Sequence, residues 1–234
     1  IMSTQKTLML VATMLLAFAP RGFSSVPDSN EKPVNVVVDF YPNYAGHLLG
    51  VAEIGYQSSY ADKYHSAVKN KDLNYLRNNP DLLRWEPGDE GPLTSVLISF
   101  PGYLNPTTKG ELGEYLQDLN TAIALKSFDS FYTKYRKTIK DLDSWCGFWV
   151  NDSIFAYEEE IQRISQILMN NFDNFKNWVW PLESKKMEAL ARSMNYQLKK
   201  LDLISRWEEV TGLEFEAPAY EVVLSTGMAN GPTG

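Results

Sequence analysis

Residues 158–207 read EEEIQRISQILMNNFDNFKNWVWPLESKKMEALARSMNYQLKKLDLISRW, and their spacing decides the fold class. Ile161, Ile164, Leu168, Phe172 and Phe175 recur at intervals of three and four, the period that keeps side chains on one helix face. Met187, Leu190, Met194, Leu198, Leu201, Ile204 and Trp207 form a second such stripe, and Gly212 stands where that helix would stop. Pro181 lies between the stripes. Lacking an N–H, it predicts a break into two helices. Glu158, Glu159 and Glu160 suit a solvated helix N-terminus, where the macrodipole favours negative charge. Adjacent helical residues point in different directions, so the three do not form a paired-carboxylate site.

The same period extends upstream. Leu112, Leu116, Leu119 and Ile123 make one stripe. Phe128, Phe131, Tyr135, Ile139, Leu142, Cys146 and Trp149 make another, spanning about six turns. Nearer the front, VNVVVDFY alternates Val34, Val36, Val38 and Phe40 on one face, which predicts a strand over 34–41. A turn and a helix carrying Leu48, Leu49, Ala52 and Tyr56 are expected next. A further helix is expected with Ser58 or Ser59 as N-cap and Tyr60, Tyr64, Ala67 and Val68 as its stripe. Glu86–Pro92, rich in Gly and Pro, reads as a surface loop. LTSVLISF is β-branched enough for a strand, yet its spacing and Pro92 at the first helical position favour a helix. YEVVLS, residues 220–225, predicts a last strand. The expected fold is therefore mostly α (α+β): amphipathic helices packed together with a few short strands.

Composition sets the chain's address and excludes some partners. Hydrophobic residues make up 44% and charged residues 22%, as in a globular protein, and 6 Trp, 13 Tyr and 11 Phe predict a core built on rings. Lys6 followed by the apolar run TLMLVATMLLAFA and the small residues of PRGFSS has the three-part layout of a secretory signal peptide. Its apolar run is too short to span a bilayer. The expected organisation is a signal peptide over 1–24 cleaved after Gly22-Phe23-Ser24, a linker over 25–33, and one mainly helical domain over 34–234. The expected location is secreted, periplasmic or in the cell envelope, with no stable membrane anchor after cleavage. A net charge of −7 disfavours nucleic acid and anionic membrane surfaces, both of which call for basic patches. Cys146, the single cysteine, allows no internal disulfide and reads as a small buried apolar residue. Ile1 stands before Met2, so the first residue reads as an open-frame boundary, and the expectation is that the domain is incomplete at its C-terminus.

Catalytic motifs are sparse. His47 and His65 are the two histidines, and neither begins an H-E-x-x-H pair or belongs to a His/Cys set with zinc spacing. No G-x-S-x-G elbow and no phosphate-cradling glycine loop occurs. A carboxylate-based hydrolase would need a pair such as Asp39 and Glu53 to converge in a cleft. The sequon at Asn151 matters only in a eukaryotic secretory route.

Two stretches carry a family resemblance. GELGEYLQDLNTAIALKSFDSFYTKYRKTIKDL pairs two helices, and ISRWEEVTGLEFEAPAYEVVLSTGMANGPTG runs helix, glycine stop, strand and small-residue turn. Together with VNVVVDFYPNYAGHLLGVAEIGYQSSY they resemble the N-terminal part of a group of secreted, zincin-like bacterial metallopeptidases catalogued as a domain of unknown function. The segment from about Ala156 to Met187 is long beside that family's usual spacing. The resemblance implies that a loop like Gly227 to Pro232 leads into an H-E-x-x-H helix, whose histidines bind zinc and whose glutamate is the general base. It also implies that the edge strand Val222, Val223, Leu224 and Ser225 holds an extended peptide by main-chain hydrogen bonds. No catalytic residue and no metal ligand is expected within residues 1–234, and zinc is implied only with a C-terminal H-E-x-x-H segment. The expectation is thus the front portion of a zinc peptidase, inactive by itself. The alternative is a complete, non-catalytic helical module binding a peptide, glycan or protein.

Overall fold

The structure, a computed structural model, describes residues 32–54, 58–86, 89–140, 142–148, 153–214 and 219–226. The signal peptide, Tyr56, Trp149, the Asn151 sequon and the loop from Gly227 to Pro232 lie outside these residues. The described chain is mostly helical with a few short strands, as the stripes predict.

Strand β1 is Val34–Val37, and helix α1, Phe40–Val51, begins almost at once. The strand expected over 34–41 is therefore about half as long, and Phe40 belongs to the helix. Pro42 is tolerated in a first helical turn, where an N–H has no intrahelical partner anyway. The orphan N–H of Tyr41 donates to Asn105 Oδ1 at 2.9 Å, a cap supplied from across the molecule. Every residue of α1 except Pro42 is buried. A single apolar stripe was expected here, but the helix is enclosed on all sides.

Helices α2 (Ser58–Tyr64) and α3 (Asn70–Asn78) follow, then a small antiparallel hairpin of β2 (Trp85–Glu86) and β3 (Asp89–Glu90). Where a loop is expected over Glu86–Pro92, the described residues hold the end of β2 and all of β3. LTSVLISF is helical, forming a π turn, Ser95–Ser99, that runs into α4 (Phe100–Leu104). Helix α5 (Lys109–Ala124) opens on a capping box: Thr108 Oγ1 accepts from Glu111 N at 3.2 Å, and the Glu111 carboxylate accepts from Thr108 N at 3.0 Å. Its residues Leu112, Leu116, Leu119 and Ile123 are all buried, and it packs against α8 (Glu158–Asn174), which buries Ile161, Ile164, Leu168 and Phe172. Glu158, Glu159 and Glu160 occupy the first turn of α8, as predicted.

The stripe from Phe128 to Trp149 is not one helix. It divides into α6 (Asp129–Tyr135) and α7 (Leu142–Phe148). The N–H groups of Thr138 and Ile139 both donate to Tyr135 O, and this tightened turn lets Ile139 and Leu142 bury completely on either side of it.

Pro181 brings the opposite correction. The chain continues from α8 through a π turn, Phe175–Val179, into α9 (Trp180–Leu198). Trp180 N donates to Phe175 O, five residues back. The widened turn accommodates a residue that has no N–H and whose ring crowds the carbonyl four residues earlier. The first π turn has the same sequel, Phe100 N to Ser95 O with Pro101 next.

The second stripe of the opening stretch also breaks. Helix α9 ends at Leu198, and the separate α10 (Leu203–Thr211) buries no residue; Leu201, between the two, and Trp207 are exposed. Gly212, at φ +68°, ends α10 in the left-handed conformation, the stop its position predicts. Strand β4 (Tyr220–Val223) then pairs in parallel with β1, setting Val36 beside Val222. A second, smaller core joins Val36, Ala191 and Leu198, flanked by Val34, Val38, Met194, Leu203 and Leu224.

Gly91 is the tightest fixed point of the hairpin. A Cβ there would meet the backbone of Asp81, Leu82 and Arg84 well inside van der Waals contact. Gly91→Ala is expected to lower stability by about 1–3 kcal/mol, read from the urea midpoint, because backbone cannot yield as a side chain does. An unchanged midpoint would contradict this packing.

Candidate functional site: the β4 edge and the polar cluster behind it

The β1–β4 sheet has two edges, and they are treated differently. Tyr220 N donates to Pro33 O and Leu224 N to Val37 O, both at 2.9 Å. In a parallel ladder alternate residues face the neighbour, so residues 220, 222 and 224 turn their peptide groups toward β1. Glu221 and Val223 turn theirs outward. The opposite edge is closed by a side chain. Asn195 of α9 accepts from Val36 N at 2.7 Å and donates to Val36 O at 2.8 Å, standing in for a third strand. Among the described residues, the outward peptide groups of Glu221 and Val223 meet no such partner.

The expected binding strand divides at its midpoint. Val222 and Val223 are exposed, at 45% and 40%. Leu224 and Ser225 lie beyond β4 and turn onto α1: Asn43 Nδ2 donates to Leu224 O at 2.8 Å, and Ser225 Oγ donates to Pro42 O at 3.2 Å. Asn43 Oδ1 also accepts from Thr226 N at 2.8 Å, and its Nδ2 reaches Asp39 O. One fully buried amide thus fixes where the chain goes after β4.

Behind that turn lies a polar cluster on α1, α2 and α9. Nδ1 of His47 is 3.1 Å from the Tyr60 hydroxyl, and the imidazole sits among the rings of Tyr60, Tyr64 and Phe175. Burial drives the His47 pKa down to about 3 against a weaker opposing pull from Glu183, so the ring is neutral at ordinary pH. Glu183 Oε1 accepts from Lys63 and Lys186, each at 2.9 Å, and from the Tyr64 hydroxyl. Burial raises the Glu183 pKa, but those three donors outweigh it and bring it down to about 2. Burial raises the Tyr60 and Tyr64 pKa values, keeping both phenols protonated. His47 Nε2 is buried without a hydrogen-bond partner among the described residues, and the Thr226 side chain lies beside the Tyr60 hydroxyl.

This chemistry suits holding more than reacting. A neutral imidazole with so low a pKa is a weak base at pH 7, and the Glu183 carboxylate is committed to its three donors. Among the described residues no group of three His, Cys, Asp or Glu side chains is placed to hold a metal ion, and none of those helices is long and apolar enough to cross a membrane. Asp39 and Glu53 do not converge. They flank opposite ends of α1, roughly 18 Å of helix apart, and Glu53 pairs with Arg77. His65 is exposed. Cys146 is half-buried beside a hollow of about 490 Å³ lined also by Phe128, Tyr132 and Asp143, and burial raises its thiol pKa to about 11, which leaves it unreactive.

Asn43, Asn195 and Glu183 organise the site, and hydrophobic spacing does not single them out. A polar Asn43 inside an otherwise apolar helix was the one available signal. Compared with family models, characterised proteins and solved structures, the chain matches none.

His47 makes stability depend on pH with a definite sign. Its folded pKa lies below the 6.5 of the unfolded chain, so the unfolded state takes up the proton first and stability falls with pH from 6.5 toward 3. The protein should be about 1.4 kcal/mol less stable near pH 5.5 than near pH 7.5, a loss that His47→Leu removes. Glu183 adds its own loss only below its unfolded value of 4.5, toward about 2. Urea midpoints with equal slopes in wild type and His47→Leu would refute the burial argument.

Proposed function

We propose that this chain is a scaffold that holds an extended polypeptide segment by strand addition to the outer edge of β4. The observation that carries the reading is the asymmetry of the sheet: Asn195 closes the β1 edge, while Glu221 and Val223 turn outward peptide groups that have no partner among the described residues, next to the exposed Val222 and Val223 side chains. An added strand gains main-chain hydrogen bonds from those groups and side-chain contacts from the valines.

The family resemblance supports a more specific setting, in which the scaffold is the front part of a secreted, zincin-like zinc peptidase and β4 presents substrate. The latch from Asn43 to Leu224 and Thr226 favours it, because the chain beyond β4 leaves in a fixed direction. The described residues do not fit a zinc site, so the metal would be held by an H-E-x-x-H segment not contained in residues 1–234, and no catalytic step is assigned to this chain.

Val223→Pro separates the edge from the ladder. It removes an N–H that points outward while leaving the bonds to β1. Screening a phage-displayed library of extended dodecapeptides against the folded chain should yield binders whose affinity falls at least tenfold in Val223→Pro. Binders unaffected by that substitution would refute edge addition.

A further inference from the structure

We propose that the segment taken up at the β4 edge is cationic, with a Lys or Arg side chain placed against Asp39 and Glu221. This rests on the strand-addition reading and names the class of peptide that the edge prefers.

Strand alternation places the two carboxylates on one surface. Val34, Val36 and Val38 belong to the small core against α9, so Asn35, Val37 and Asp39 project from the other face. The parallel register puts Glu221 and Val223 on that same face, beside Asn35 and Val37. Asp39 retains extended backbone, φ −96° and ψ 143°, so the alternation continues through it. That face of the sheet therefore shows valines between two acids, next to a backbone edge with no partner among the described residues.

The way this fold treats its other enclosed acids makes the pair informative. Asp72, fully buried, accepts from Arg163, Asn170 and Asn171. Glu183 accepts from two lysines and a tyrosine. Asp39 is half-buried, caps no helical N–H with its side chain and, among the described residues, has no cation among the groups that shift its pKa. The charge it feels is a like one: burial and then Glu221 both raise its pKa. A half-buried carboxylate that feels a like charge on the same face is destabilised until a positive group arrives. Among the described residues no third acid, His or Cys joins the pair, as a dedicated calcium site calls for. An ammonium or guanidinium delivered by an edge strand meets both carboxylates while its backbone pairs with Glu221 and Val223. Opposite charge would also repel acidic segments, giving selectivity that the valines cannot provide.

The test uses the full chain and three synthetic peptides of alternating Thr and Val that differ at one central position, carrying Lys, Gln or Glu. Binding is followed through the amide NMR signals of Glu221 and Val223 at low and at physiological salt. The Lys peptide should bind at least tenfold more tightly than the Glu peptide, and added salt should narrow the gap. Asp39→Asn with Glu221→Gln should weaken the Lys peptide at least fivefold and abolish discrimination against Glu. Unchanged circular dichroism would show that the double variant is folded. Equal binding of all three peptides overturns the cationic preference while leaving strand addition intact. Amide shifts produced by calcium alone, with no Lys preference, also overturn it. No response of Glu221 or Val223 to any peptide overturns strand addition itself.

Discussion

Helix α1 is enclosed on every side, and the remainder of the fold is arranged to satisfy it. A helix in that position cannot send a polar side chain to water, so each one needs an internal partner. The Tyr41 hydroxyl donates to Leu97 O, the Tyr44 hydroxyl to Leu168 O, Asn43 bonds three backbone groups, and His47 meets Tyr60. Leu97 O lies in the first π turn, as does Val96 O, which accepts from Tyr115 at 2.6 Å. The irregular turn thus supplies carbonyls that buried tyrosines use. The second π turn brings Phe175 against His47, with ring centroids 5.0 Å apart. Both departures from regular helix serve the same central element.

That arrangement also shapes the sheet. Because α1 begins only two residues after β1, the strand is short, and its partner β4 arrives from the far end of the sequence with the helical body between them. A two-stranded parallel sheet is marginal alone. Here α9 covers one face, Asn195 closes one edge and Asn43 ties down the chain after β4. Among the described residues one face and one edge remain uncovered, and that edge is where the backbone of Glu221 and Val223 looks outward.

Amphipathic stripes were readable wherever a helix has one buried face. Leu112, Leu116, Leu119 and Ile123 of α5 and Ile161, Ile164 and Leu168 of α8 are buried where those two helices pack together, and Phe172 and Phe175 continue the stripe onto the rings of α1. The same rule misjudged α1, since a helix enclosed all round has no contrasting polar face to display. It joined α6 to α7, because the apolar spacing persists across the turn at Thr138 and Ile139. It broke the chain at Pro181, because a π turn that relieves the proline leaves no mark in hydrophobic spacing. The location of the candidate edge strand was legible to within two residues. Its neighbour, the side it turns outward and the acid that shares its face were not.

The sequence by itself determined the helical stripes, the glycine stop at Gly212 and the existence of a last strand, since each depends on residues within a few positions of one another. Only the tertiary structure decided that β4 pairs with β1, that Asn195 seals one edge, that Asn43 latches Thr226, and that Asp39 and Glu221 share a face. Those contacts join residues separated by most of the chain. Local propensity carries no information about them, because the energy that selects them comes from closing the core around α1.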